Sequence, residues 1–178
     1  GRGAQKQVKN RLQVQEYVQE HLEAIDEFDA ENPQTKYIPT YPKTIVNKVN
    51  SPDVGMEFSL NPYQGCEHGC VYCYARNSHE YWGYNAGLDF EKVIMYKEHA
   101  PGLLETHLQN PKWQARTIVL SGNTDCYQPI EQKLQITRRL LEVFLKYKHP
   151  VGIITKNITI TRDLDILGQL ADMDLVNV

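Results

Sequence analysis

From Met56 onward the sequence alternates short apolar runs with stretches of helical periodicity, and this alternation narrows the fold more than any other property of the chain. The apolar runs are MEFSL (56–60), KVIMY (92–96), TIVLS (117–121), VGIIT (151–155) and the closing LVNV (175–178). Helical patterns lie between them, after Cys73 and over PGLLETHLQN, EQKLQITRRLLEVFLKYK and TRDLDILGQLADM. Strands separated by helices need crossover connections, and such crossovers are right-handed and join parallel strands. In these sheets the groups that carry chemistry collect beyond the carboxyl ends of the strands. The expected fold class is α/β, a partial parallel β/α barrel over residues 56–178. Five apparent strands are too few to close an eight-stranded barrel, and the sequence stops at Val178 inside a strand with no helix after it. The expectation is therefore a truncated barrel, part of something longer, whose last strand is an open edge inclined to pair with another chain.

Residues 1–55 read differently. Val8, Leu12, Tyr17, Val18, Leu22 and Ile25 recur near one face of a helix over 5–27, with Lys, Gln and Glu elsewhere. The stretch ENPQTKYIPTYPKTIVNKVNSPDVG follows, and its four prolines oppose both regular helix and central strand. An N-terminal amphipathic helix followed by a proline-rich extended arm lying over the domain is expected.

A formal net charge of -3 removes the broad basic field of a non-specific nucleic-acid binder. No apolar run approaches the roughly 18 residues of a membrane span, and GRGAQKQVKN lacks an apolar signal core, so the reading is a soluble, cytoplasmic chain with no membrane partner. Three of the four cysteines sit within eight positions, which speaks for metal or redox chemistry in a reducing compartment rather than a secreted disulfide framework.

Those three, Cys66, Cys70 and Cys73, form C-x3-C-x2-C in NPYQGCEHGCVYCYAR. On a helix they would share a face and pack as small core residues, but Gly65, Gly69 and Asn61-Pro62 favour a loop. A zinc site could use Cys70-x2-Cys73 as a half-site with His68 or His79, although no second knuckle follows. An iron-sulfur cube normally takes four thiolates, and with three it keeps one iron open to chelate a substrate or cofactor.

GCEHGCVYCYAR, with the aromatic Tyr72 just before the last cysteine, resembles the cluster loop of the radical S-adenosylmethionine enzymes. SPDVGMEFSLNPYQGCEHGCVYCYARNSHEYWGYNAGLDFE, NTDCYQPIEQKLQITRRLLEVF, TKN and the initial GRGA are similar to the DNA-repair-photolyase-like branch, related to spore photoproduct lyase. The resemblance implies a 4Fe-4S cluster on Cys66, Cys70 and Cys73, with S-adenosylmethionine on the fourth iron. It also implies an external electron donor such as flavodoxin or ferredoxin, and reductive cleavage of S-adenosylmethionine to a 5'-deoxyadenosyl radical. Tyr72 would lie near the adenine, or serve as a core tyrosine. Ser121, Gly122, Asn123, Thr124 and Asp125, leaving a strand end, would receive the cofactor's amino group, although the family's common Gly-Gly-Glu form is absent; an ordinary turn with Asp125 capping the next helix is the alternative.

Thr155, Lys156 and Asn157 suit the methionine carboxylate or the ribose, and Lys97 is a further cation at a strand end; a surface loop and a solvated charge are the alternatives. Cys126 and its neighbour Tyr127 would be a hydrogen-atom donor and a radical relay, against packing of a small residue in the core. The substrate stays open. Kinship with a thymine-dimer repair enzyme suggests a nucleic-acid substrate. A non-catalytic iron-sulfur protein for electron transfer or sensing is the main alternative, and a zinc-stabilised binding module the next.

Overall fold

The fold is described by a computed structural model covering residues 3–4, 8–12, 34–51 and 55–178. The helix expected over 5–27 falls almost wholly outside the described residues; within 8–12 the backbone is irregular, with a turn at Arg11 and Leu12. The proline-rich arm does more than lie over the domain. Its segments Lys36–Pro39 (β1) and Val46–Lys48 (β2) are strands. Both fall where prolines permit, β2 free of proline and β1 with Pro39 at its last position, outside the central places of either sheet.

The next strands are Phe58–Leu60 (β3), Tyr63–Gln64 (β4), Val93–Tyr96 (β5), Ile118–Leu120 (β6), Val151–Ile153 (β7) and Val176–Asn177 (β8). Among the described residues they form a five-stranded sheet in the order β2-β3-β6-β7-β8 and a three-stranded sheet in the order β1-β5-β4. In the larger sheet β3, β6, β7 and β8 are mutually parallel neighbours, with Leu60 opposite Leu120 and Leu120 opposite Ile153. That is the arrangement the alternation implies. Antiparallel β2 pairs with the outer side of β3.

The run at 93–96 belongs elsewhere. Asn61-Pro62 turns the chain after β3, so β4 runs antiparallel to β5, and β1 adds parallel on the other side. The fold is thus mixed α/β, with parallel and antiparallel pairs in two sheets.

The helices are Leu88–Lys92 (α1), Ala100–Leu108 (α2), Glu131–Leu134 (α3), Ile136–Lys146 (α4) and Leu164–Ala171 (α5), with 3-10 segments at Tyr74–Trp82 and Ile158–Asp163. The pattern over 131–148, read as one helix, breaks at Gln135, whose φ is 51°. The Glu131 carboxylate makes the break affordable by accepting the opening amides of α4, from Thr137 N at 3.0 Å and Arg138 N at 3.4 Å.

Ile136, Leu140, Leu141 and Phe144 form the buried face of α4, packed with Leu60, Leu120 and their neighbours in the principal core. Each such side chain contributes about 2 kcal/mol by leaving water. Among the described residues no helix is long and apolar enough to cross a membrane.

Candidate functional site

The cysteine loop follows β4, just past the turn at the carboxyl end of β3, and is shaped by two glycines. Gly65 and Gly69 take φ of 77° and 60°, left-handed conformations that cost other residues strain. At Gly65 a Cβ would also lie 2.6 Å from Val93 O and 3.0 Å from Phe90 O, so the loop backbone rests directly on α1 and β5. Cys66 N donates to Phe90 O at 2.8 Å, and Cys73 N to Cys70 O at 3.3 Å. Cys66 is buried, and burial pushes its thiol up to about 11, so neutralisation by a bound cation is what would favour its thiolate.

All three thiols line one cavity of about 270 Å³. That is far more than the roughly 10–15 Å³ needed to hold one water, so a lone ion would leave most of it empty. Three thiols with room for a larger group is a donor set that fits an iron-sulfur cluster and a ligand beside it. As the side chains stand, no three His, Cys, Asp or Glu among the described residues converge on a single ion position. Cys70 instead accepts a hydrogen bond from Lys156 Nζ.

The cavity's other walls come from the carboxyl ends of β6 and β7. Ser121, with φ of 68°, ends β6 in a left-handed conformation, and its Oγ accepts from Cys126 N at 2.7 Å. The loop that follows is stitched to the cysteine loop. Asn61 Oδ1 accepts from Asn123 N at 2.9 Å and Thr124 N at 3.4 Å, and Thr124 Oγ1 donates to Tyr63 O at 2.6 Å. The wholly buried Gln128 brackets Cys66, accepting from Glu67 N at 3.3 Å and donating to Gly65 O at 3.2 Å. Tyr74 OH donates to Gly122 O at 2.6 Å from the other side.

Asp125 ties the β6 and β7 ends together. It accepts from Thr155 Oγ1 at 2.7 Å, Lys156 N at 3.3 Å and Tyr127 N at 2.9 Å. His68 Nε2 lies 3.3 Å from its Oδ2, a contact whose geometry falls short of a hydrogen bond. Burial pushes the Asp125 carboxyl up, but His68, Thr155 and the two backbone amides outweigh it and hold the group below its usual range. Lys156 Nζ, held above its ordinary value chiefly by the Cys70 thiol, also lies 5.7 Å from the centre of the Tyr72 ring.

Of the residues singled out in the sequence, Cys66, Cys70, Cys73, Tyr72, Ser121, Asn123, Asp125 and Lys156 therefore wall one cavity, with Thr124 and Thr155 between them. Gly122 and Asn157 stand outside its lining. A Cβ on Gly122 would meet Met56 Sδ at 3.1 Å, so its bare backbone makes room for Met56, and Asn157 caps the following 3-10 segment by accepting from Thr159 N at 2.9 Å. Cys126 is fully buried in the core, where burial raises its thiol, and Tyr127 OH donates to Asp163 at 3.0 Å. Lys97 is buried and donates to Asn61 O at 2.5 Å, with burial bringing its ammonium down to about 8. Tyr74 and Gln128 escaped the sequence reading. An aromatic directly after the last cysteine and a glutamine in NTDCYQP were their only signals.

No protein-family model matches the chain, and no solved structure matches it. Among curated proteins, an uncharacterized protein of Mycobacterium tuberculosis (strain H37Rv) is 33% identical over 137 residues, which cover 76% of this chain and 40% of that relative. An uncharacterized protein of Methanocaldococcus jannaschii is 27% identical over 145 residues, 81% of this chain and 51% of its own length. One from Acidianus two-tailed virus is 28% identical over 138 residues, 73% of this chain and 45% of its own length. The chain spans about half or less of the length of these curated relatives.

Proposed function

We propose that this chain carries the cofactor half of a radical S-adenosylmethionine enzyme, its parallel sheet being the first part of a β/α barrel. The observation that carries the reading is the convergence of the C-x3-C-x2-C thiols with the polar ends of β6 and β7 on one cavity. Cys66, Cys70 and Cys73 would hold a 4Fe-4S cluster. When bound, that cluster with S-adenosylmethionine supplies a one-electron cleavage that yields a 5'-deoxyadenosyl radical, with electrons from a donor such as flavodoxin or ferredoxin.

The chain's own residues bind and orient. Asp125, kept ionised by its donors, is an acceptor suited to an ammonium group; Lys156 offers a cation to a carboxylate by leaving Cys70; Tyr72 offers a ring face to a base. Asn123 adds a side-chain amide, held by Ser78 Oγ at 3.1 Å. Burial of Cys66 and Thr124 closes the floor of the cavity to water. The substrate class, a nucleic acid by kinship alone, belongs to the same proposal.

Anaerobic reconstitution followed by electron paramagnetic resonance with and without S-adenosylmethionine tests it. The cofactor should alter the signal of the reduced cluster. A signal indifferent to it would favour a plain electron carrier, and a colourless, zinc-loaded protein would end the iron-sulfur reading.

A further inference from the structure

The back of the cysteine loop, on the side away from the cavity, is gripped by a chain of polar contacts for which cluster ligation by itself gives no reason. Arg76 donates to the Cys70 carbonyl twice, from Nε at 3.2 Å and Nη2 at 2.9 Å. The same guanidinium donates to Gly87 O at 3.2 Å and pairs with Glu91 Oε1 at 2.5 Å. Glu91 is wholly buried on α1. Its Oε1 also accepts from Ala4 N at 2.8 Å, at the far N-terminal end of the chain.

Gly3, next to Ala4, lies against the Gly69 carbonyl so closely that a Cβ on it would be driven into that oxygen, and it would also come within 3.1 Å of a Val71 methyl. From the other partner, a Cβ on Gly69 would meet Gly3 N at 3.1 Å and Glu91 Oε2 at 3.1 Å. Two bare glycines are thus what lets the two backbones touch. A second anchor lies further along: Asn10, buried, donates to Glu80 O at 3.1 Å and Tyr84 O at 2.9 Å, and Arg11 Nη2 pairs with Glu80 at 2.8 Å.

We infer that Gly3 and Ala4 form a clasp on the rear of the cysteine loop, acting through Glu91 and Arg76 to set the position of Cys70. Arg76 and Glu91 are positioning residues, since they touch the Cys70 carbonyl and its support rather than the cavity. Two backbone atoms at the chain's beginning and a carboxylate on α1 are brought to one ligand position, which makes the clasp part of the site. The role in holding a cluster rests on the proposed function; the restraint of Cys70 does not.

The test uses the full chain with Gly3→Val, which unseats the clasp sterically, and Arg76→Lys, which keeps the charge but loses the paired grip on the carbonyl. In the cluster-free, reduced protein, iodoacetamide labelling is followed at each cysteine by peptide mass spectrometry, with buried Cys126 reporting global unfolding. Each variant should label Cys70 about tenfold faster than the parent while Cys126 stays protected, the change that about 1.4 kcal/mol of lost restraint produces. Faster loss of cluster absorbance on dilution into chelator should accompany it.

An unchanged Cys70 rate with Cys126 protected overturns the clasp. Should Gly3→Val expose Cys126 as well, Arg76→Lys decides by the same criterion. A parent protein that takes up no iron overturns the proposed function, and the labelling result then judges the clasp on its own.

Discussion

His79 should make the stability of the cluster-free protein fall steeply in mild acid. It lies on the 3-10 segment after the cysteines, has no exposed surface, and neither ring nitrogen has a hydrogen-bond partner among the described residues. Its ring lies 5.2 Å from that of Tyr84 and edge-on to Phe90 at 5.6 Å, and its Cε1 would sit 3.1 Å from a Cβ on Gly65, directly behind the cysteine loop. Burial drives the imidazole down to about 4 from its ordinary 6.5, against smaller upward pulls from Asp89 and the Val93 backbone.

A folded-state value below the unfolded one means that the unfolded chain binds the extra proton between pH 6.5 and 4. Stability is therefore full above pH 6.5 and lost as the pH falls toward 4. Integration gives a loss of about 2 kcal/mol by pH 5 and about 3 kcal/mol by pH 4. Urea unfolding followed by far-ultraviolet circular dichroism at pH 7, 6 and 5 should show this slope in the parent, and His79→Leu should remove about 2 kcal/mol of the difference between pH 7 and pH 5. Parallel pH profiles for the two proteins would refute the reasoning, since they would mean that His79 titrates alike folded and unfolded.

Replacing Cys126 with Ala should cost about 1 kcal/mol through loss of buried volume and leave iron uptake unchanged, whereas Ala at Cys66, Cys70 or Cys73 should abolish or destabilise the brown chromophore. Gln128→Ala strands Gly65 O and Glu67 N, so a loss of about 2 kcal/mol is expected in denaturant titration, with fold content retained by circular dichroism. Glu131→Gln removes the charge facing Arg162 at 2.9 Å inside a site shared with Tyr63 OH, and a loss of about 3 kcal/mol should appear as a lowered Tm.

The parallel order of β3, β6, β7 and β8 was readable because these runs are apolar, short and separated by helical patterns, and a right-handed crossover leaves few other places for the next strand. KVIMY is equally apolar, yet it pairs in the other sheet. Apolar content says that a strand is buried and nothing about which edge it meets; here the reversal at Asn61-Pro62 and the strand at 36–39 take its hydrogen bonds. The break at Gln135 was hidden for a similar reason, since helical periodicity runs through it and the compensation comes from a carboxylate in the preceding turn.

At the site, the spacing of Cys66, Cys70 and Cys73 placed three thiols on one loop, and position after a strand end marked Ser121 to Asp125 and Thr155 to Asn157 for the same edge, although Gly122 and Asn157 stay outside the cavity lining. Both are local properties of the chain, set by residue spacing and by where a strand stops. That Gln128 brackets Cys66, that Tyr74 reaches Gly122 and that Gly3 lies on Gly69 involve partners 48 to 66 positions apart. Such pairs leave no period in the sequence. They exist because the sheet order brings two loops within hydrogen-bonding distance, and a hydrogen bond fades within an ångström or so of its ideal length, so their choice fell to the packed chain alone.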